Sequence, residues 1–175
     1  MHRLNLLALS LLCLCAVGLA AAQPPEMPKP SPEHAYLKKS AGNWDCVMNM
    51  MGQKFNCTHT CEMLGEFWVV GKFSGDLGGM KFEGRDAFGW DPRKKVYVGT
   101  WMDNMSPHSM TISGTFDAAS KTLTMEGIGV NEQGKDAKYK EVIVWKNDNE
   151  YSFTMHEEKN GKMEQIFTID YKRKK

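Results

Sequence analysis

The chain has 175 residues, with 22 Lys and Arg against 21 Asp and Glu, a formal net charge of +1. A balance this even creates no field to gather nucleic acid or an acidic membrane, so no nucleic-acid partner is expected. The length fits one domain with a real core, and five cysteines are too few to make a disulfide scaffold.

Residues 1–22 predict a secretory signal peptide. Arg3 supplies the positive start, Leu4 to Leu19 an apolar run short for a membrane span, and Ala20-Ala21-Ala22 a small-residue cleavage site. Leu14 before Cys15 argues against a lipoprotein anchor. The product is expected to be exported, secreted or periplasmic, with no integral membrane segment after cleavage. Removing the leader takes Arg3, Cys13 and Cys15, leaving 21 basic against 21 acidic residues and the cysteines Cys46, Cys57 and Cys61.

Residues 23–31 hold Pro24, Pro25, Pro28 and Pro30 and predict an extended tether, with the folded domain over 32–173. Ser31-Pro32-Glu33 predicts a helix start: Ser as N-cap, Pro in the first helical position, an acid in the first turn. Leu37 and Ala41 share a face, Lys38 and Lys39 come late, Gly42 stops the helix, and His34 is expected at its surface. So short a helix is unstable alone and must dock, and the open end of a barrel would serve.

From there the chain alternates with period two between turn signals. Strands are predicted over 43–51, 56–64, 66–74, 80–90, 95–103, 109–117, 121–130, 137–147, 150–158 and 162–172. The turns are Asp91-Pro92, Asp117-Ala118-Ala119-Ser120, Asn147-Asp148-Asn149 and Asn160-Gly161, the last a type I′ hairpin signal. Connections this short forbid parallel crossovers, so the fold class is all-β: one antiparallel meander of about ten strands, closed to remove its edges.

Ser31 to Trp44, Phe82-Glu-Gly-Arg-Asp-Ala-Phe-Gly-Trp-Asp91, Tyr97 to Ser106 and Phe116 to Thr124 resemble the uncharacterised bacterial family called domain of unknown function 1579. The resemblance spans roughly residues 31–173. It implies a calycin-like (lipocalin-like) barrel, usually in exported proteins, and implies no activity. Gly42-Asn43-Trp44 after a helix resembles the way calycin barrels begin, with the Trp plugging one end; Arg173 of the last strand is the expected partner stacked on Trp44. The chain departs from the family in its first hairpin, which looks shortened and carries the three remaining cysteines.

Alternation sorts the faces. In 80–90 the even positions Met80, Phe82, Phe88 and Trp90 point in, and Asp86 with them. In 137–147 Lys138, Lys140 and Lys146 mark the outside, so Tyr139, Glu141, Ile143 and Trp145 face in. Tyr151, Phe153 and Met155, then Gln165, Phe167 and Ile169, are expected on the core face, and Tyr97, Trp101 and Asp103 share a side. An apolar interior broken by carboxylates is what a ligand cavity would show. The expected binding residues are Phe82, Asp86, Phe88, Trp101, Tyr139, Glu141, Phe153 and Phe167; the alternative is that the carboxylates are satisfied in a filled interior.

In the first hairpin Trp44, Cys46, Met48 and Met50 share a face, as do Cys57, His59, Cys61 and Met63. Cys46, Cys57, His59 and Cys61 form a soft set suited to copper or zinc. Cys57 and Cys61 stand about 13 Å apart along one strand and cannot bridge each other, but Cys46 can face either, and one disulfide with one thiol left over is expected. No P-loop, dinucleotide fingerprint, Gly-x-Ser-x-Gly or metalloprotease helix occurs, and no cofactor is expected. The reading is an exported, non-catalytic binding protein for a small apolar or amphipathic molecule. Copper or zinc handling is the alternative, and an enzyme using interior carboxylates the second.

Overall fold

A computed structural model describes residues 26–175. The predicted signal peptide and the start of the tether lie outside the described residues. One helix, α1 (His34–Ser40), precedes ten strands: β1 (Gly42–Met50), β2 (Gln53–Leu64), β3 (Trp68–Asp76), β4 (Lys81–Asp91), β5 (Val96–Asp103), β6 (Met110–Asp117), β7 (Thr122–Val130), β8 (Asp136–Asn147), β9 (Glu150–Lys159) and β10 (Lys162–Arg173). Each strand pairs antiparallel with its neighbour in sequence, and β1 pairs with β10, so the sheet closes into a barrel. Among the described residues no helix is long and apolar enough to cross a membrane.

The hairpin turns explain the tight meander. Asn160 and Gly161 both have positive φ, 51° and 75°, as a type I′ turn requires. Met51-Gly52 adopts the same pair of conformations, φ 51° and 76°. Methionine rarely takes positive φ, so the sequence signalled no turn there, and β2 begins at Gln53 rather than at 56. Met80 lies in the turn before β4, half exposed, and not on the inner face.

The helix begins later than its capping signal. Ser31, Pro32 and Glu33 form a tight turn, with the amides of His34, Ala35 and Tyr36 donating to their three carbonyls. The Ser31 hydroxyl caps no helix amide, and the Ser31 amide donates to His34 Nδ1 at 2.9 Å. His34 is therefore buried rather than at the surface, and it meets Phe67 edge-on at 5.3 Å. The fully buried Leu37 follows three residues on. This short helix lies across the ends of β2, β3 and β4 and shuts that end of the barrel.

Trp44 completes the closed end, as expected. It is 1% exposed, meets Tyr151 and Trp145 edge-on, and donates from Nε1 to the Ser40 carbonyl at 2.9 Å. The Arg173 guanidinium lies 4.1 Å over its ring and donates to Ala41 O (2.7 Å) and Lys39 O (2.8 Å). Gly42 has φ +136°, and a Cβ there would strike Arg173 Nη1, so glycine is required for both reasons.

Besides Met80, the predicted inward register changes at Gln165. Pairing slips between Gln165 and Phe167, a β-bulge that places Gln165 opposite His156 and leaves Ile166 as the extra residue. Gln165 is exposed, contrary to the alternation, while Phe167, Ile169 and Tyr171 face in.

Candidate functional site

The interior is hollow. A cavity of about 370 Å³ extends from α1 toward the opposite end, whose mouth is framed by Met50, Leu77, Asp103, Ser106, His108 and Val130. The structure places Phe82, Asp86, Phe88, Trp101, Tyr139, Glu141, Phe153 and Phe167 on this one volume. The six aromatic residues among them are half-buried, whereas Trp44 and Leu37 at the closed end are buried completely. The space survives partly because inner-face glycines seat the aromatics. A Cβ on Gly84 would run into the Trp101 indole, and one on Gly99 into the Phe88 ring. These rings lie flat against the wall instead of crossing the lumen.

Gly71 does the same for a polar pair. It sits on β3 between Cys61 of β2 and Asp86 of β4, and a Cβ there would strike both Asp86 Oδ2 and His59 Nε2. With that space open, His59 and Asp86 meet at 2.7 Å, both nearly buried. Asp86 is thus satisfied by a side chain that the sequence suggested as a metal ligand. Trp101 Nε1 donates to Asp103 Oδ2 at 2.8 Å, so a second carboxylate near the mouth is also bonded.

Glu141 differs. It is 4% exposed, and its Oε2 has no hydrogen-bond partner. Burial, with a smaller push from the Asp86 charge, raises its pKa to about 8, so the carboxyl is largely protonated at neutral pH. Among the described residues the other buried side-chain atom without a partner is Trp145 Nε1, near the closed end.

The first hairpin does not assemble a metal centre. Cys46, Cys57, His59 and Cys61 all face in, but among the described residues no three His, Cys, Asp or Glu are grouped to hold an ion. His59 is turned to Asp86, while the Cys46 and Cys57 thiols donate to the backbone carbonyls of Trp44 and Phe55. Burial raises the pKa of all three thiols. Cys46 stands directly opposite Cys57, in the register expected, yet all three cysteines are free thiols, so the expected bridge is not formed.

Cys61, His59 and Asp86 suggest a nucleophile, base and orienting acid, but their geometry is wrong for that. Asp86 approaches Nε2, and Cys61 Sγ lies 3.4 Å from that same nitrogen and 3.5 Å from Nδ1. A relay needs acid and nucleophile on opposite nitrogens.

A wider surface depression of about 960 Å³ runs along the outside of β1, β2 and β10. Its exposed Lys81, Lys146 and Lys172 are interspersed with exposed Asp45, Glu83 and Asp170 and converge on nothing.

Fold and interior together define a closed ten-stranded antiparallel barrel with a lined cavity. The chain belongs to the family described as "Protein of unknown function (DUF1579)", whose model matches residues 29–173. No curated protein matches it. Among solved structures it is similar to a redesigned beta barrel, at 11% identity over 79% of this chain and 95% of that one, TM-score 0.44. It is also similar to "EF1p2_mFAP2b bound to DFHBI", at 12% identity over 78% and 95%, TM-score 0.44.

The sequence missed that His59 serves Asp86. It also missed Tyr171, which the alternation through Phe167 and Ile169 already pointed inward.

Proposed function

We propose that this protein is an exported, non-catalytic carrier that holds one small, largely apolar molecule inside the barrel. The observation that carries the reading is the 370 Å³ cavity, lined by aromatic and Met side chains around a few convergent polar groups. The signal-peptide pattern of residues 1–22 supports export, and the secreted or periplasmic space is where the carrier would work. No nucleophile–base pair with relay geometry stands in the cavity among the described residues, so binding rather than chemistry is the better use of it.

A neutral apolar fluorophore, N-phenyl-1-naphthylamine, should bind saturably with a stoichiometry of about one. Phe153→Trp should weaken that binding by filling the lumen between Phe153 and Phe167, whose rings stack at 5.8 Å. Absence of saturable binding to the folded protein would sink the carrier reading.

A further inference from the structure

The cavity lining holds Asp86, Asp103 and Glu141, and among the described residues no Lys or Arg reaches it. Its buried cation-forming group, His59, already has Nε2 against Asp86. Among the described residues, Glu141 Oε2 is the buried carboxyl oxygen of this wall that has no partner. A ligand that brings N–H donors would supply the missing partner. A fatty acid or other anion would instead add charge of the same sign in a medium of low dielectric.

The apolar surroundings point the same way. Phe82, Trp101, Phe153 and Phe167 present ring surfaces to the lumen, and ring faces attract cations. We infer that the preferred occupant is a lipophilic amine, with its ammonium group on Glu141, facing Asp86 across the lumen, and its apolar body among the aromatics. This inference rests on the carrier reading and specifies its ligand class.

Binding would then release a proton. The neutral Glu141 carboxyl gives its hydrogen to water, and the carboxylate left behind accepts N–H bonds from the ammonium, so charge and atoms balance. Glu141 is faced by Asp86 from β4 and Tyr171 from β10, while β7 and β9 place the uncharged Met125 and Met155 beside it. His59 of β2 stands behind Asp86. Glu141 is thus the carboxyl without a protein partner that an arriving ammonium would ionise.

The test is displacement of N-phenyl-1-naphthylamine by decylammonium, decanol and decanoate, which share a chain and differ in head group. At pH 7.5 decylammonium should compete at a concentration about tenfold below decanol, with decanoate weakest. Its affinity should rise about fivefold or more from pH 6 to pH 8, a range in which the amine stays charged. Glu141→Gln should erase the advantage over decanol while decanol still competes; the ranking in unaltered protein decides the matter if the variant does not fold. Equal competition by all three, or decanoate strongest, would overturn the amine assignment and leave the carrier reading standing. Failure of the fluorophore itself to bind would remove both.

Discussion

At the helix end of the barrel, Arg173 covers Trp44 and donates to backbone carbonyls of α1 and the turn after it, and Tyr97 Oη donates to Glu33 O at 3.0 Å. In the middle and toward the mouth, aromatics are half-buried, and a buried carboxyl oxygen has no partner. One end uses its side chains to fill space and to tie down the helix, leaving Trp145 Nε1 as its unpartnered buried atom; the other keeps its lumen open and leaves a carboxyl oxygen unpartnered. Stability and recognition are thus divided along one axis, and the division can be probed by mutation.

The largest expected effect is at the closed end. Trp44→Ala should lower unfolding free energy by ~3–5 kcal/mol, measured by denaturant titration, as for other buried aromatics. A change under about 1 kcal/mol would mean that Trp44 is not the plug.

Glu141→Gln should act in the opposite direction, through pH. The folded-state pKa of Glu141, about 8, lies above its ordinary value of 4.5, so its contribution to stability is complete below about pH 4.5. It is lost as pH rises toward 8. The parent protein should therefore lose stability between pH 5 and pH 8, while the Gln variant, lacking that titration, should be more stable than the parent at pH 8 by roughly 1–3 kcal/mol. Matching pH profiles for the two proteins would show that Glu141 ionises freely in the cavity.

The smallest effect sharpens the closed end. Arg173→Lys keeps the charge but loses the planar fork that reaches Ala41 O, Lys39 O and Asp148 O together. It should cost about 1 kcal/mol in thermal or denaturant unfolding and leave fluorophore binding unchanged.

Much of this was legible because a strand alternates. Lys138, Lys140 and Lys146 fixed the register of β8 and so placed Glu141 inside. At two places one residue broke the period and the reading failed: the bulge at Ile166 turned Gln165 outward, and Met51 made an unsignalled turn. The His59–Asp86 contact spans two ladders and depends on a missing Cβ at Gly71, which no pattern along one strand reveals. His34 was misplaced because a seven-residue helix has too little periodicity to show its buried face. Whether the lumen is hollow depends on how rings lean on glycines in neighbouring strands, a property of the assembled barrel.

The seam between β1 and β10 also sets an order of events in folding. Every other ladder joins strands that follow one another in the chain and can form from local encounters. The seam must gather partners such as Arg173 and Ala41, 132 positions apart, and meet that loss of chain entropy before any contact rewards it. Until it does, β1 and β10 are both open edges, able to template pairing with a second copy. The guanidinium settling on Trp44 is in this sense a latch, and its engagement ends the interval in which the newly folding chain is sticky.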